Sequence, residues 1–408
     1  MEKEIIFDKE QQEAYDIAMS GKSMYIAGVA GVGKTCLVKK IIKDLRERGK
    51  RVEVAAPSQG AALLLDSNGV TIHGLYNTYP GGLSFDISGT NRLHKSKAME
   101  ADVVIIDEIS MCGGQLFTYI YKASYLISKA KGKKIQLIVL GDFLQLPPTG
   151  DKYAFESVYW DKIGFKVVLL QTSHRQEDME YFTHLGEIRE GKNGCENVEW
   201  LKERAHYLEK KEDAPILCSY RSTVAKYNRE IIEKLEGEGI TYKAETDNKK
   251  LFSNMCVDDE IFLKVGAFVM TVINDPLNRY HNGSTGTIVD MDEESVTIKF
   301  SDSTPERPHV ETLGKHIWTE VFEGVAYNYE QIPVIPAYAL TIHKAQGCTL
   351  DYVNIEPRCF AAGQLYVALS RVRSVDHLYI NSELRTEDIK VDDRVLGFYA
   401  RMTQNWTA

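Results

Sequence analysis

Gly28-Val29-Ala30-Gly31-Val32-Gly33-Lys34-Thr35 has the GxxxxGK[ST] spacing in which backbone N–H groups curl round phosphate oxygens. A helix opening at Lys34 adds a dipole that favours negative charge. Lys34 is placed to reach the β- and γ-phosphates of a nucleotide, and the Thr35 hydroxyl to coordinate Mg²⁺. The phosphate-contacting set is therefore Gly28, Gly31, Val32, Gly33, Lys34, Thr35 and Cys36. Further along, the apolar run Val103-Val104-Ile105-Ile106 ends in Asp107-Glu108. Asp107 suits a shared metal with Thr35, and Glu108 suits the polarisation of an attacking water. Gly141-Asp142-Phe143-Leu144-Gln145-Leu146-Pro147-Pro148 follows another apolar run, and the Gln145 amide can both donate to and accept from a γ-phosphate environment. Charge developing on a transferred phosphoryl group calls for a planar guanidinium. Arg175 and Arg371 are the candidates, although either, read singly, is first of all a surface ion-pair residue.

The elements that must carry these residues alternate strand with helix. Asp8-Lys9-Glu10-Gln11 has the form of a capping box opening a helix that stops near Gly21. Buried strands are predicted at 24–27, 52–56, 103–106, 135–140 and 167–170, with a helix over 34–48. Strands separated by helical stretches predict an α/β fold with a parallel sheet covered on both faces. The stretch 76–97 breaks the pattern and reads as an excursion from the first domain. A second α/β series follows, with helices at 179–189 and 223–235 and strands at 216–219 and 268–272. Short β-branched runs at 286–289, 296–300 and 316–322, separated by turn residues, predict a small all-β insertion. The α/β series then resumes at 334–337, 352–355, 363–370 and 378–380.

The chain of 408 residues is 44% hydrophobic and 26% charged, an ordinary globular composition. No window approaches a membrane span, and 1–12 lacks the features of a signal or transit peptide, so the expectation is a cytoplasmic protein. Seven cysteines without CxxC spacing predict reduced thiols and no structural metal site. The net charge of −9 speaks against coating of nucleic acid by bulk charge and neither proves nor excludes a nucleic-acid partner. It is unevenly placed, with four basic against ten acidic residues in 276–335. The remainder is near neutral and leaves room for a local basic groove.

In order along the chain, these motifs resemble those of superfamily-one helicases of the 5′-to-3′ branch. The resemblance is strongest to the Pif family, with the RecD and Dda helicases as relatives. It is carried by Gln11, the phosphate loop, Ala56-Pro57-Ser58-Gln59-Gly60-Ala61-Ala62, Thr71-Ile72-His73-Gly74, Asp107-Glu108-Ile109-Ser110-Met111 and the segment from Gly141 to Pro148. It continues through Arg175-Gln176, Ala339-Leu340-Thr341-Ile342-His343-Lys344-Ala345-Gln346-Gly347 and Tyr366-Val367-Ala368-Leu369-Ser370-Arg371. Where the family carries Phe and Trp, His174 and Tyr338 stand here.

The resemblance implies two RecA-like P-loop domains and an enzyme that hydrolyses ATP with Mg²⁺. Gln11 would read adenine, Gly347 would join the nucleotide contacts, and Gln145, Arg175 and Arg371 would close on the γ-phosphate. Residues 1–75 and 98–174 would form domain 1A, with 76–97 as a duplex-splitting wedge. Residues 175–275 and 334–408 would form domain 2A, with 276–333 as an SH3-like insertion. Single-stranded DNA would be contacted by Pro57, Ser58, Thr71 and His73 on the first domain. Asn282, Thr341, His343 and Lys344 would contact it on the second. The aromatics Tyr280, Trp318, Tyr327 and Tyr329 would either stack on bases or pack in the insertion's core. The implied protein is a monomeric DNA helicase of bacterial or phage type acting on single strands and tailed duplexes, with G-quadruplexes or RNA–DNA hybrids as further substrates. A translocase or remodelling ATPase without unwinding, or a RecD/Dda-like enzyme outside the Pif family, is the alternative.

Overall fold

A computed structural model of the chain describes residues 7–29, 31–78, 93–172, 178–249, 252, 255, 257–277, 279–322 and 325–404. Most of the expected excursion at 76–97, together with Arg175 and His174, lies outside them. Packing divides the chain into two units. The first comprises Met1–Lys210, Gln346–Tyr352 and Pro357–Ala408, and the second Lys211–Ala345 and Val353–Glu356.

In the first unit six strands form one sheet: β1 (Met24–Gly28), β2 (Val52–Ala56), β3 (Val70–Thr71), β4 (Val103–Ile106), β5 (Gln136–Gly141) and β6 (Lys166–Leu170). Their order is β3-β2-β4-β5-β1-β6 and every pairing is parallel. The helices of this unit before the second one begins are α1 (Lys9–Met19), α2 (Lys34–Glu47), α3 (Gln59–Leu65), α4 (Ile72–Leu75), α5 (Gly114–Lys131), α6 (Trp160–Ile163), α7 (Met179–Glu190) and α8 (Gly194–Arg204).

Successive side chains of a strand point to opposite faces, and here both faces are apolar. Met24, Ile26, Ile105, Ile138 and Val168 meet Ala14 and Ala18 of α1 and Leu37, Val38 and Ile41 of α2 in one core. Tyr25, Ala27, Val104, Ile106 and Val139 meet Phe117, Ile120 and Ala123 of α5 in the other. A sheet buried on both sides needs continuous apolar strands, and that is why these strands were legible as runs. A further parallel pair begins with β7 (His206–Tyr207).

The second unit has its own parallel strands and an antiparallel part. β8 (Ile216–Cys218) is followed by α9 (Arg221–Glu233), β9 (Gly239–Lys243), β10 (Glu245–Thr246), β11 (Glu260–Lys264) and β12 (Phe268–Thr271). Then come β13 (Thr285–Met291), β14 (Ser295–Phe300), β15 (Val310–Gly314), β16 (His316–Phe322), β17 (Val325–Gln331), β18 (Val334–Pro336), β19 (Ala339–Thr341) and β20 (Val353–Ile355). β19 and β20 flank β8 in parallel. Five strands form an antiparallel sheet in the order β15-β14-β13-β12-β18.

The strands predicted at 268–272 and 334–337 therefore form, but within the antiparallel sheet and not the α/β series. An isolated apolar run does not encode the direction of its pairing. Tyr280 and Tyr329 are buried, and Trp318 and Tyr327 pack against the same cluster, so these aromatics serve the core.

In the first unit, β21 (Leu378–Ile380) pairs with β7, flanked by α10 (Gln364–Leu369) and α11 (Asp393–Gln404). α11, which the sequence reading grouped with the second domain, sends Val395 and Phe398 into the core around Tyr25, Phe143 and Trp160. Among the described residues no helix is long and apolar enough to cross a membrane.

Candidate active site

Three strands adjacent in the first sheet, β4, β5 and β1, end on one edge, and the loops that follow them hold the expected chemistry. After β1, Gly33 adopts φ 78° as the N-cap of α2, a left-handed conformation that glycine holds without strain. No side chain among the described residues caps that helix end, so its first N–H groups are available to an anion. Lys34 Nζ donates to the carbonyls of Gly28 (2.7 Å) and Val29 (2.8 Å). Burial pulls its pKa down, while the carboxylates of Asp142, Glu108 and Asp107 push it up. Thr35 and Cys36 stand exposed on the first turn. The buried Gln11 closes a capping box with Asp8, and its Nε2 reaches the Val32 carbonyl at 3.4 Å. One amide thus ties the start of α1 to the phosphate loop.

β4 delivers Asp107 and Glu108. Glu108 has φ 50°, a backbone state uncommon outside glycine, and its N–H donates to Asp107 Oδ1 at 2.8 Å. The Asp107 carboxyl is held well above the usual carboxylate range by burial and by the neighbouring Glu108 charge. Two half-buried carboxylates beside one amine leave an excess of negative charge that a divalent cation would neutralise. Among the described residues no three His, Cys, Asp or Glu side chains converge on one point. Mg²⁺ is a cation commonly held by one or two carboxylates plus substrate phosphates. Thr35 and Asp107 are the residues that would hold it, and it would supply charge neutralisation between phosphates.

Gln145, 5% exposed, lies after β5. Gln346 joins it to the carboxylates: its Nε2 donates to Glu108 Oε2 at 2.9 Å and to Gln145 Oε1 at 3.3 Å. A Cβ on Gly347 would stand 3.6 Å from Glu108 Oε1, so the chain passes directly over that carboxylate. Arg371 is buried, donating to the carbonyls of Val367 (2.7 Å) and Cys348 (3.1 Å) and to Ser370 Oγ (2.6 Å). Burial lowers its pKa, and the Glu108 charge is the strongest influence opposing that. Gly363, which opens α10, backs onto the Gln145 carbonyl so closely that any Cβ would collide with it.

Sequence reading missed what anchors this edge. Asp142, wholly buried, receives both arms of Arg189 from α7, Nε at 2.7 Å and Nη2 at 2.8 Å. Tyr399 of α11 donates to the same carboxylate at 3.2 Å, accepts from the Phe143 N–H at 3.1 Å and meets the Tyr25 hydroxyl at 3.0 Å. The Ala339–Gly347 motif likewise does not reveal in sequence that Gln346 bridges Glu108 and Gln145. The Asp in the Gly141-Asp142 turn was the available signal for the network, since a buried carboxylate requires a partner.

The expected strand-contacting residues of the first unit gather at the same sheet edge. Ser58 Oγ caps α3 through the Ala61 N–H, and Thr71 Oγ1 caps α4 through the Gly74 N–H. β2 and β3 pair Ala56 with Thr71, so Pro57, Ser58, Thr71 and His73 follow neighbouring strand ends. Burial lowers the His73 pKa. In the second unit, Thr341, His343 and Lys344 line a cleft of about 590 Å³ with Arg221 and Asn228. Burial, then the Arg221 charge, lowers the His343 pKa. Asn282 is exposed in the turn ahead of β13, its N–H bonded to Asn274 Oδ1 at 2.8 Å.

With this geometry in hand, comparison with known proteins gives concordant results. A family model described as an AAA domain matches residues 7–212. The chain is 30% identical to the ATP-dependent DNA helicase Pif1 of Bdellovibrio bacteriovorus, over 97% of this chain and 92% of that protein. Its fold matches the crystal structure of Pif1 helicase from Candida albicans with TM-score 0.83 and 26% identity, covering 98% of this chain and 100% of that one. A Pif1 helicase from Bacteroides in complex with ADP-AlF3 and ssDNA matches with TM-score 0.79 and 25% identity, over 98% of each chain. The fold is thus that of two RecA-like P-loop domains with parallel sheets, carrying an SH3-like all-β insertion in the second.

Proposed function

We propose how this chain works on the premise that it belongs to the Pif1 family, and is therefore an ATP-hydrolysing DNA helicase. It moves 5′ to 3′ along single-stranded DNA and separates the duplex ahead of it. The observation that carries this reading is the convergence on one sheet edge of Lys34, Asp107, Glu108 and Gln145, with Gln346 bridging Glu108 to Gln145.

In this reading Lys34 and the loop N–H groups of Gly31 to Cys36 hold the phosphates, Gln11 reads the base, and Thr35 and Asp107 bind Mg²⁺. Glu108 orients the water, and Arg371 with Arg175 neutralises the transition state. Pro57, Ser58, Thr71 and His73 grip one stretch of DNA backbone and Asn282, Thr341, His343 and Lys344 another. Small hydroxyls and amides suit contacts that carry no sequence information. The Bacteroides relative bound to ADP-AlF3 and ssDNA supports both ligands. Residues 1–75 with 98–174 and 175–275 with 334–408 serve as domains 1A and 2A, with the wedge at 76–97 and the insertion at 276–333, whose sheet also takes in β12 and β18, and the motor acts as a monomer.

Strand separation on duplexes with a 5′ tail, a 3′ tail or blunt ends tests this. ATP-dependent separation confined to the 5′ tail is expected. Preference for the 3′ tail would overturn the direction, and no separation on any of the three would leave a translocase or remodelling ATPase.

A further inference from the structure

The edge of the first sheet opposite the nucleotide loops carries a second feature. Residues 109–141 contain five lysines and no acidic residue, in a chain whose net charge is −9. A groove of about 550 Å³ opens there, lined by Tyr121, Tyr125, Lys129, Lys133, Lys134 and Lys162 among others. Its floor includes Ser23 and Ile135, the residues just before β1 and β5. The strand lengths place it roughly 15–20 Å from the loops at the other ends.

Two of the α5 lysines have local explanations. Lys129 and Lys131 fall in the last turn of α5, where cations complement the helix dipole. Lys131 and Lys133 also approach Asp102, at 3.8 Å and 3.2 Å. Neither account reaches Lys134 or Lys162, nor Tyr125, which is 60% exposed. Tyr121 stacks on Tyr159 at 4.5 Å and 20°, and Lys162 Nζ stands 4.8 Å from the Tyr159 ring. Those contacts occupy the Tyr121 and Tyr159 faces and leave Tyr125 as the accessible ring; lysines gathered beside such a ring are the pattern that tracks a phosphate backbone while a base stacks.

We propose that this groove is a second DNA-binding surface, which holds the displaced single strand of the forked substrate outside the strand track at the opposite edge. It rests on the reading of DNA as the substrate. Short-oligonucleotide stimulation of the parental ATPase checks that reading separately.

The test compares the parental protein with Tyr125→Ala/Lys129→Ala/Lys134→Ala, three exposed positions. Binding is measured on a short single strand, a 5′-tailed duplex and a forked duplex across a salt series. Fork affinity should fall at least tenfold. The log–log salt slope should shrink by about 1.4, the value for two lost single-strand phosphate contacts. Short-strand binding and the ATPase it stimulates should be unchanged. The loss should fall on the fork alone; an equal loss on the tailed duplex, which has no displaced strand, would overturn the proposal and assign the groove to the duplex arm. Unchanged fork affinity would overturn the proposal, and so would an equal loss on the short strand. Loss of polyglutamate binding with fork binding intact would overturn it too, assigning the groove to an acidic protein segment.

Discussion

Removing Arg189 separates an anchoring role from a bystander one. Its guanidinium, 6% exposed, makes two charge-assisted bonds of 2.7 and 2.8 Å to the wholly buried Asp142 carboxylate. Arg189→Ala leaves that carboxylate buried with, among the described residues, the Tyr399 hydroxyl and the Leu144 N–H as partners. Breaking a buried pair by deleting one member costs about 3–5 kcal/mol. For a unit of this size each kcal/mol moves the midpoint about 2–4 °C, so a downward shift of roughly 10 °C is expected. Scanning calorimetry is the assay, because the two units need not melt together. Arg189→Lys, which keeps charge but loses the fork, should lose less. Arg189→Met combined with Asp142→Leu should recover most of the loss, since well-packed apolar replacements of buried pairs are often neutral. Because the Leu144 N–H bonds to Asp142, Arg189→Ala should also slow ATP turnover below its melting range by misplacing Gln145. A midpoint within about 2 °C of the parent would refute the reasoning.

Other consequences are sharper in kinetics. Gln346→Leu removes the bonds to Glu108 and Gln145. A bond to a charged group is worth about 1.5–3 kcal/mol, so turnover should fall roughly ten- to a hundredfold, with ATP affinity measured by fluorescent-analogue competition nearly unchanged. Arg371→Ala should slow hydrolysis at least about a hundredfold, with Arg371→Lys as the fold control in circular dichroism; normal turnover would leave Arg175 as the finger. Burial holds the His73 and His343 pKa values below their ordinary range, so the unfolded chain takes up protons first. Their contribution to stability is complete above about pH 6.5 and is lost as pH falls below it. Melting curves from pH 7.5 to 5.5 should show a decline that is shallower in His343→Asn.

Much of the nucleotide edge was readable because local chemistry dictates it. A glycine must stand where φ is 78° at Gly33, an Asp caps α1 three residues ahead of Gln11, and β4 is an uninterrupted apolar run because both its faces are covered. Helix α2 and strand β6 fell within a residue of expectation for the same reason. What escaped depends on distant partners. Asp142 meets Arg189 across 47 positions, Glu108 meets Gln346 across 238 and Tyr25 meets Tyr399 across 374. No spacing rule links such residues, since tertiary packing alone brings them together. The α11 side chains carry an amphipathic pattern that calls for a core without saying which one, and Val395 and Phe398 choose the first. The antiparallel pair of β9 and β11 was not anticipated, because its two short strands are separated by 16 residues and Ile261-Phe262-Leu263 is too brief a run to name a partner.

The central claim is that hydrolysis at this one site drives strand separation. Glu108→Gln keeps shape and hydrogen bonding while removing the charge that orients water. Purified Glu108→Gln should bind ATP and single-stranded DNA as the parent does, yet hydrolyse and unwind at least about a hundredfold more slowly. Parental rates of unwinding with ATP in that variant would contradict the account.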